Sequence, residues 1–301
     1  MRHETSASAK TILFGEHAVV YGEPAIAIPL SRIRTYCDFS PNGSEFRVYS
    51  ENTGLNQTFS ELEPNNGIKT LLSLLMEKFS IQEMPHDTLH IRSDIPIASG
   101  LGSGAALSIA IIRSFCAYYG KILSDEQIND MAYEIEKIYH GSPSGIDNTT
   151  ITYEQAIIFT RGKGIEKLNA DLGKMNLLVI DSGIRSRTID VVSDVKANLE
   201  VNRPFIREIG ELVNRAVPVL AEMNTEEIGL LMNENQRLLC SINVSSPELD
   251  KFIDFGRKNH ALGGKLTGAG RGGNFLILAR DKDQAEWLKT QYEQMGLNVI
   301  L

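Results

Sequence analysis

Pro96-Ile97-Ala98-Ser99-Gly100-Leu101-Gly102-Ser103-Gly104-Ala105-Ala106 reads as a strand end, a glycine loop and a helix start. Glycines let backbone N–H groups approach an anion closely, and a helix N-terminus adds roughly half a positive charge. A phosphate-bearing ligand suits such a loop; a plain glycine-rich turn is the alternative. The string matches the dinucleotide pattern G-x-G-x-x-A, and an acid, Asp125, stands about 20 residues on, as that pattern asks. Cys116–Ser124, however, does not make the buried second strand of a βαβ unit, and Asp125 opens a helix. No Gly-Lys-Ser/Thr follows, so this is not a Walker A loop.

Outward from the loop, apolar spacing predicts helices over Ser103–Tyr119 and Asp125–Tyr139, and a strand over Thr88–Ser93. Before it lie a helix over Ile68–Phe79 and strands at Thr11–Phe14, Ala25–Leu30, Arg32–Phe39 and Phe46–Ser50. After it come strands at Gln155–Thr160 and Asn176–Asp181. Helical patterns follow over Arg187–Glu200, Pro204–Met223 (interrupted by Pro218), Thr225–Cys240 and Lys251–Asn259. The chain closes with a glycine loop (Gly263–Gly273), a strand (Phe275–Ala279), a helix (Asp281–Met295) and a strand (Asn298–Leu301).

The length, 301 residues, points to two domains, with the boundary expected near residue 175: an N-terminal domain over 1–175 and a C-terminal one over 176–301. Hydrophobic residues at 42% and charged residues at 23% are those of a globular protein with a sizeable core. A net charge of −8 disfavours a nucleic-acid partner. The odd, scattered Cys37, Cys116 and Cys240 argue against a disulfide framework or zinc site and for reduced, buried thiols. No 18-residue apolar run exists, and Met1–Lys10 lacks the apolar core of a secretory signal. The expectation is a soluble cytoplasmic protein with no membrane partner.

Two more glycine-rich segments carry candidate chemistry. His140-Gly141-Ser142-Pro143-Ser144-Gly145-Ile146-Asp147-Asn148 holds an acid in a loop. Asp147 there is a general base, a magnesium ligand, or a turn or capping residue. On the helix upstream, Glu134 and Glu136 flank the apolar stripe Ile128, Met131, Ile135 and Ile138 on opposite sides, and periodicity does not choose between them as a metal ligand. Lys265-Leu266-Thr267-Gly268-Ala269-Gly270-Arg271-Gly272-Gly273-Asn274 concentrates glycine at a cost in chain entropy, so something approaches its backbone. That is a second phosphate-facing loop or a tight crossover between packed elements.

Taken in order with Lys10–Tyr21 (KTILFGEHAVVY) and Gly22-Glu23-Pro24-Ala25, these segments resemble the GHMP kinases, a superfamily of small-molecule phosphotransferases. The N-terminal run and SPSGIDN are most similar to its mevalonate kinase family. The resemblance covers nearly the whole chain. It implies a two-domain α+β fold with the active site in the cleft between domains, ATP and Mg²⁺ as co-substrate and metal, and mevalonate as the small-molecule substrate. It also implies a monomer or homodimer.

Residue by residue, the resemblance puts Lys10 on the family's catalytic lysine, Asp147 on its aspartate base, and Glu136 with Ser103 on its metal ligands. Gly100, Leu101, Gly102, Ser103, Gly104 and Ala105 fall in the nucleotide loop, with Thr267 and Gly268 beside the phosphates. Glu16 and His17 match positions near the substrate pocket, and Lys196, with Arg185 and Arg187, is a candidate for an anionic group on the acceptor. The run Leu231–Gln236 (LMNENQ) is familial without assigned chemistry. There are departures. Gly104 stands where a second serine is usual, Ser6–Ala9 where Ala-Pro-Gly is usual, and Arg271 replaces a glycine, while Asn274 stands where a small residue is typical. At Ser186–Ile189 the expected Ser/Thr-Lys pairing ends in isoleucine.

Overall fold

The computed structural model describes residues 4–96, 99–140, 143–172 and 175–301. Ile97 and Ala98 of the first glycine segment, and Gly141 and Ser142 of the second, lie outside the described residues. The chain forms two compact units, Met1–Lys10 with Pro29–Glu154, and Thr11–Ile28 with Gln155–Leu301. The sequence boundary near 175 therefore falls inside the second unit. The reason is strand pairing: Ala25–Ala27 pairs with Ile157–Phe159, which holds an N-terminal segment with the later half of the chain.

In the first unit, β5 (Asp87–Ser93) runs antiparallel to the Thr35–Pro41 half of β2 (Ala25–Pro41). β3 (Arg47–Ser50) lies parallel to β5, and β4 (Leu55–Thr58) closes the edge as a hairpin with β3. β1 (Thr5–Phe14) pairs with β2. Helices α1 (Gly67–Phe79), α2 (Ser103–Tyr118), α3 (Asp125–His140) and α4 (Ile146–Tyr153) pack together. α2 is buried around most of its circumference, from Ala105 and Ile109 to Ile112 and Phe115, which makes it the core of the unit. Phe115 meets the rings of Phe39, Phe79 and Tyr119.

The second unit contains a hairpin of β6 (Ala156–Thr160) and β7 (Gly164–Leu168) beside Ala25–Ala27. Its other sheet has the order β11-β8-β10-β9, all antiparallel: β8 (Asn176–Asp181), β9 (Gly263–Leu266), β10 (Asn274–Ala279) and β11 (Asn298–Val299). Its helices are α5 (Thr188–Ala197), α6 (Leu199–Glu222), α7 (Thr225–Ser241), α8 (Pro247–Lys258) and α9 (Lys282–Gln294). α7 covers β9, the edge strand. There Asn233 Oδ1 accepts the Gly264 N–H and Gln236 Oε1 accepts the Leu266 N–H, so the LMNENQ run supplies the partners that a further strand would give.

Four sequence expectations change. The two strands expected over 25–39 are one; Pro29 lies between the stretch paired to β6 and the stretch paired to β5, where its missing N–H breaks neither ladder. α6 runs through Pro204 and Pro218. An interior proline costs about 3 kcal/mol, and burying a Leu- or Ile-sized side chain returns about 1.5–3; α6 buries Ile206, Ile209, Leu212, Val213 and Leu220. The expected loop over Gly263–Gly273 begins as β9. Finally, Asp147 sits not in a loop but in the first turn of α4, whose Thr149-Thr150-Ile151-Thr152 run has the β-branching of a strand. Packing against α2 and α3 overrides that propensity.

The cysteines are free, Cys37 and Cys116 buried but Cys240 exposed, contrary to the expectation for the last. Among the described residues no helix is long and apolar enough to cross a membrane.

Candidate active site

In the first unit β1 brings Lys10 to the glycine loop and to α4. The Lys10 N–H donates to the Leu101 carbonyl at 3.0 Å, so strand and loop are joined at the backbone. Lys10 Nζ lies 2.9 Å from Asp147 Oδ1, with the lysine side chain 7% and the aspartate 33% exposed. The lysine is thus held by the protein while its partner faces outward. Gly102, with φ 78°, caps α2; a Cβ there would lie 2.9 Å from Ile151 Cδ1 and 3.0 Å from Lys10 Cγ. Glycine at this position lets the loop close on the lysine stem and on α4.

Glu136 and Asp147 line one cavity of about 230 Å³, with Ser144 and Asn148 in its wall. The structure separates the two glutamates that periodicity left open. Glu136 is buried, whereas Glu134 is exposed and paired with Lys137 at 2.6 Å. Ile138, expected in the buried stripe, is 46% exposed. The buried face of α3 instead passes through Ile128, Ala132, Ile135 and Glu136, at helical spacing. A Cβ on Gly104 would lie 3.1 Å from Glu136 Oε1, so this glycine faces the carboxylate directly. Ser103 opens α2 immediately before it.

The donor set fits a hard divalent cation. Mg²⁺ takes one or two carboxylates and leaves its other positions to water and phosphate. Two carboxylates share the cavity, and Asn148 Oδ1 in its wall is a buried acceptor without a hydrogen bond. Among the described residues no cluster of three or more His, Cys, Asp or Glu side chains offers an all-protein cage.

The second unit holds the other candidates. There the N-terminal motif is fastened to the third glycine segment through Thr11, Ile12, Glu16 and His17. Thr11 and Thr267 hydroxyls lie 2.9 Å apart, Glu16 Oε1 pairs with Lys265 Nζ, and the His17 ring bonds the Ala269 carbonyl at 2.8 Å. Glu16 and Lys265 are both fully buried; desolvation pushes Glu16 up and Lys265 down, and each partner's charge opposes the shift of the other. Burial likewise lowers the His17 pKa. A neutral ring with its proton on Nε2 satisfies the Ala269 carbonyl. His17 also has φ 62°, a strained backbone for a side chain with a Cβ.

The third glycine segment has the close approaches of a tight crossover. A Cβ on Gly270 would lie 1.9 Å from the Val244 carbonyl and one on Gly272 2.6 Å from that of Ile184, as a tight crossover requires. Gly268 has open space around its Cβ position. Arg271, the departure from glycine, donates from Nε to the Asn243 carbonyl and forms an ion pair with Asp194. Lys196 is exposed in the last turn of α5, and no hydrogen bond or ion pair joins it to Glu16, His17 or Thr267. Arg185, 69% exposed, pairs with Asp181, and Arg187, 79% exposed, lies beside Asp190.

Sequence reading missed Lys265 as the partner of Glu16, although a lysine inside Gly-Gly-Lys-Leu before an apolar strand is an available sign of a buried pair. It also missed Arg113, the one charged residue in the apolar run Ser103–Tyr118.

Comparison with known proteins agrees with this architecture. Residues 66–155 match the GHMP kinases N terminal domain and residues 216–296 the GHMP kinases C terminal domain. The mevalonate kinase of Thermococcus sibiricus is 34% identical, over 94% of this chain and 90% of its own. The crystal structure of the Methanococcus jannaschii mevalonate kinase superposes with a TM-score of 0.84 at 29% identity, covering 99% of this chain and 96% of that one. That of L. major mevalonate kinase in complex with R-mevalonate gives 0.82 at 29% identity, covering 97% and 91%. With matches at both ends and near-complete coverage by these relatives, the chain belongs to the GHMP kinases, in the family of the mevalonate kinases.

Proposed function

We propose that this chain transfers the γ-phosphoryl group of ATP to the 5-hydroxyl of (R)-mevalonate, giving 5-phosphomevalonate for isoprenoid biosynthesis. The observation that carries the reading is the 2.9 Å Lys10–Asp147 pair, with Asp147 sharing a cavity with Glu136 and Lys10 bonded to the glycine loop. The identity to mevalonate kinases supports the choice of acceptor.

Phosphoryl transfer asks a protein for positioning and charge neutralisation more than for covalent chemistry. Gly100, Leu101, Gly102, Ser103, Gly104 and Ala105 hold the nucleotide phosphates at the N-terminus of α2, where backbone N–H groups and the helix dipole favour negative charge. Glu136 and Ser103 are the residues that would hold Mg²⁺, which would supply charge neutralisation to the phosphates. Asp147 accepts the proton of the acceptor hydroxyl. A carboxylate near pKa 4 is a weak base for an alcohol. In a largely dissociative transition state the proton leaves late, so a weak base suffices. Lys10 orients Asp147 and stabilises developing negative charge. Glu16 and His17, committed to Lys265 and to the Ala269 carbonyl, support the third glycine segment rather than bind the acceptor.

The test is ADP release with Mg·ATP on (R)-mevalonate, 5-phosphomevalonate, homoserine and galactose, with Asp147→Asn as control. Turnover on mevalonate alone, lost in the variant, is expected. Turnover on another acceptor would move the substrate and keep the site, whereas tight ATP binding without turnover on any of them would mark a non-catalytic sensor.

A further inference from the structure

Glu154 closes α4 at φ 48° and ψ 39°, in the left-handed region where glycine or asparagine is the usual helix terminator. A glutamate there costs backbone energy, and its side chain makes bonds that a glycine would not. Its carboxylate is gripped by two arginines. Arg34 on β2 donates from Nη2 to Oε1 at 2.6 Å and from Nη1 to Oε2 at 3.1 Å, a fork-on-fork pair. Arg113 on α2 donates from Nη1 to Oε1 at 3.2 Å and from Nη2 to the Thr152 carbonyl of α4 at 2.9 Å. Both arginines also hold β1: Arg34 Nε bonds Ser6 Oγ at 2.9 Å and Arg113 Nη1 the Ser6 carbonyl at 2.7 Å.

The three elements joined here also carry the site. β1 leads from Ser6 to Lys10, α2 from the glycine loop to Arg113, and α4 from Asp147 to Glu154. At about 1.5 Å per residue in a helix and 3.3 Å in a strand, the cluster sits roughly 10–15 Å along each element from the Lys10–Asp147 pair. α4 has only two turns and a β-branched sequence with little helical tendency of its own, so its axis is set by what holds its ends. Half-burial alone would raise the Glu154 pKa; the bonds and charges of Arg34 and Arg113 outweigh it and hold the carboxyl below the usual range.

We propose that Glu154, clamped by Arg34 and Arg113, is a positioning residue for phosphoryl transfer, fixing the helix that bears Asp147 against the strand that bears Lys10. This rests on the reading of Asp147 as the base.

The experiment compares Glu154→Gly, which suits the left-handed backbone but removes the carboxylate, with Glu154→Gln, which keeps the shape without the charge. Both are measured in the full chain, alone and combined with Asp147→Asn. The glycine variant is expected to keep its circular dichroism and thermal midpoint, and to lose about tenfold in kcat with KM for ATP within about twofold. In the Asp147→Asn background the same substitution is expected to change the residual rate by less than about twofold, because the residue it positions is already disabled. Unchanged kcat in folded Glu154→Gly overturns the proposal. So does an equal fold-loss in both backgrounds, which is the mark of a purely structural role. Should the glycine variant not fold, the glutamine variant carries the same comparison. Near-wild-type turnover of Asp147→Asn alone overturns the base assignment, an outcome read separately from any Glu154 variant.

Discussion

Among the described residues two lysine–carboxylate pairs are built from the motifs, one in each unit, and they differ in burial. Lys10 and Asp147 meet at 2.9 Å with the aspartate one-third exposed, whereas Lys265 and Glu16 meet with neither reachable by solvent. A carboxylate with an open face can receive a substrate proton and be resolvated. A fully buried one is committed to its partner, because losing that partner strands a charge in a medium that solvates it poorly. On the proposed function, a lysine–carboxylate pair is therefore a reaction centre in one place and a fastener in the other. The buried pair holds the glycine-rich strand turn against the N-terminal motif, with the Thr11–Thr267 and His17–Ala269 bonds on either side.

The largest expected effect breaks the exposed pair. Asp147→Asn should lower kcat by about 10³-fold or more with nucleotide affinity held within about twofold, since the amide keeps the volume and loses the basic oxygen. Nucleotide titration beside steady-state ADP release checks both halves. Unfolding in urea should show a smaller change than for the buried pair, because the aspartate keeps contact with solvent.

The buried pair should behave in the opposite way. Lys265→Met is expected to destabilise the fold by about 3–5 kcal/mol by leaving Glu16 unpaired, and adding Glu16→Gln should return a substantial part of it. A urea series on the single and double variants measures this. Equal stability of the single variant and the parent would mean that the pair does not fasten the two motifs.

Gly102→Ala sharpens the comparison from the side of the scaffold. A methyl group there presses on Lys10 and Ile151 from a left-handed backbone. A loss of about 1–2 kcal/mol in stability and about tenfold in kcat is expected, by thermal unfolding and initial rates.

The smallest effect is a pH dependence beside the buried pair. Burial lowers the His17 pKa from 6.5, so the unfolded chain takes up a proton that the folded chain refuses. Its contribution is fully present above pH 6.5 and is lost as pH falls from there toward the folded value. His17→Gln should flatten the thermal midpoint between about pH 6.5 and 5 relative to the parent.

Much of this was legible from local pattern. α1, α2, α3 and α7 follow from apolar spacing, and each glycine segment lies beside a candidate residue. Three features were not. α4 is expected as a loop because its β-branched run carries no local helical signal, while its helical state comes from packing on α2 and α3. The choice of Glu136 over Glu134 turns on a rotation of α3 that one helix's periodicity leaves free. The grouping of Thr11–Ile28 with the C-terminal half depends on pairing between residues about 130 apart in sequence.

By itself the sequence determined which chemistry was available: a glycine loop at a helix start, a lysine and an aspartate in familial motifs, and the family to which they belong. Those are properties of short runs, where residue type and spacing carry the information. Only the tertiary structure decided which lysine met which carboxylate, and how much water each pair kept. Partner and burial are set by chain segments far apart in sequence, and burial fixes the free energy of a charge.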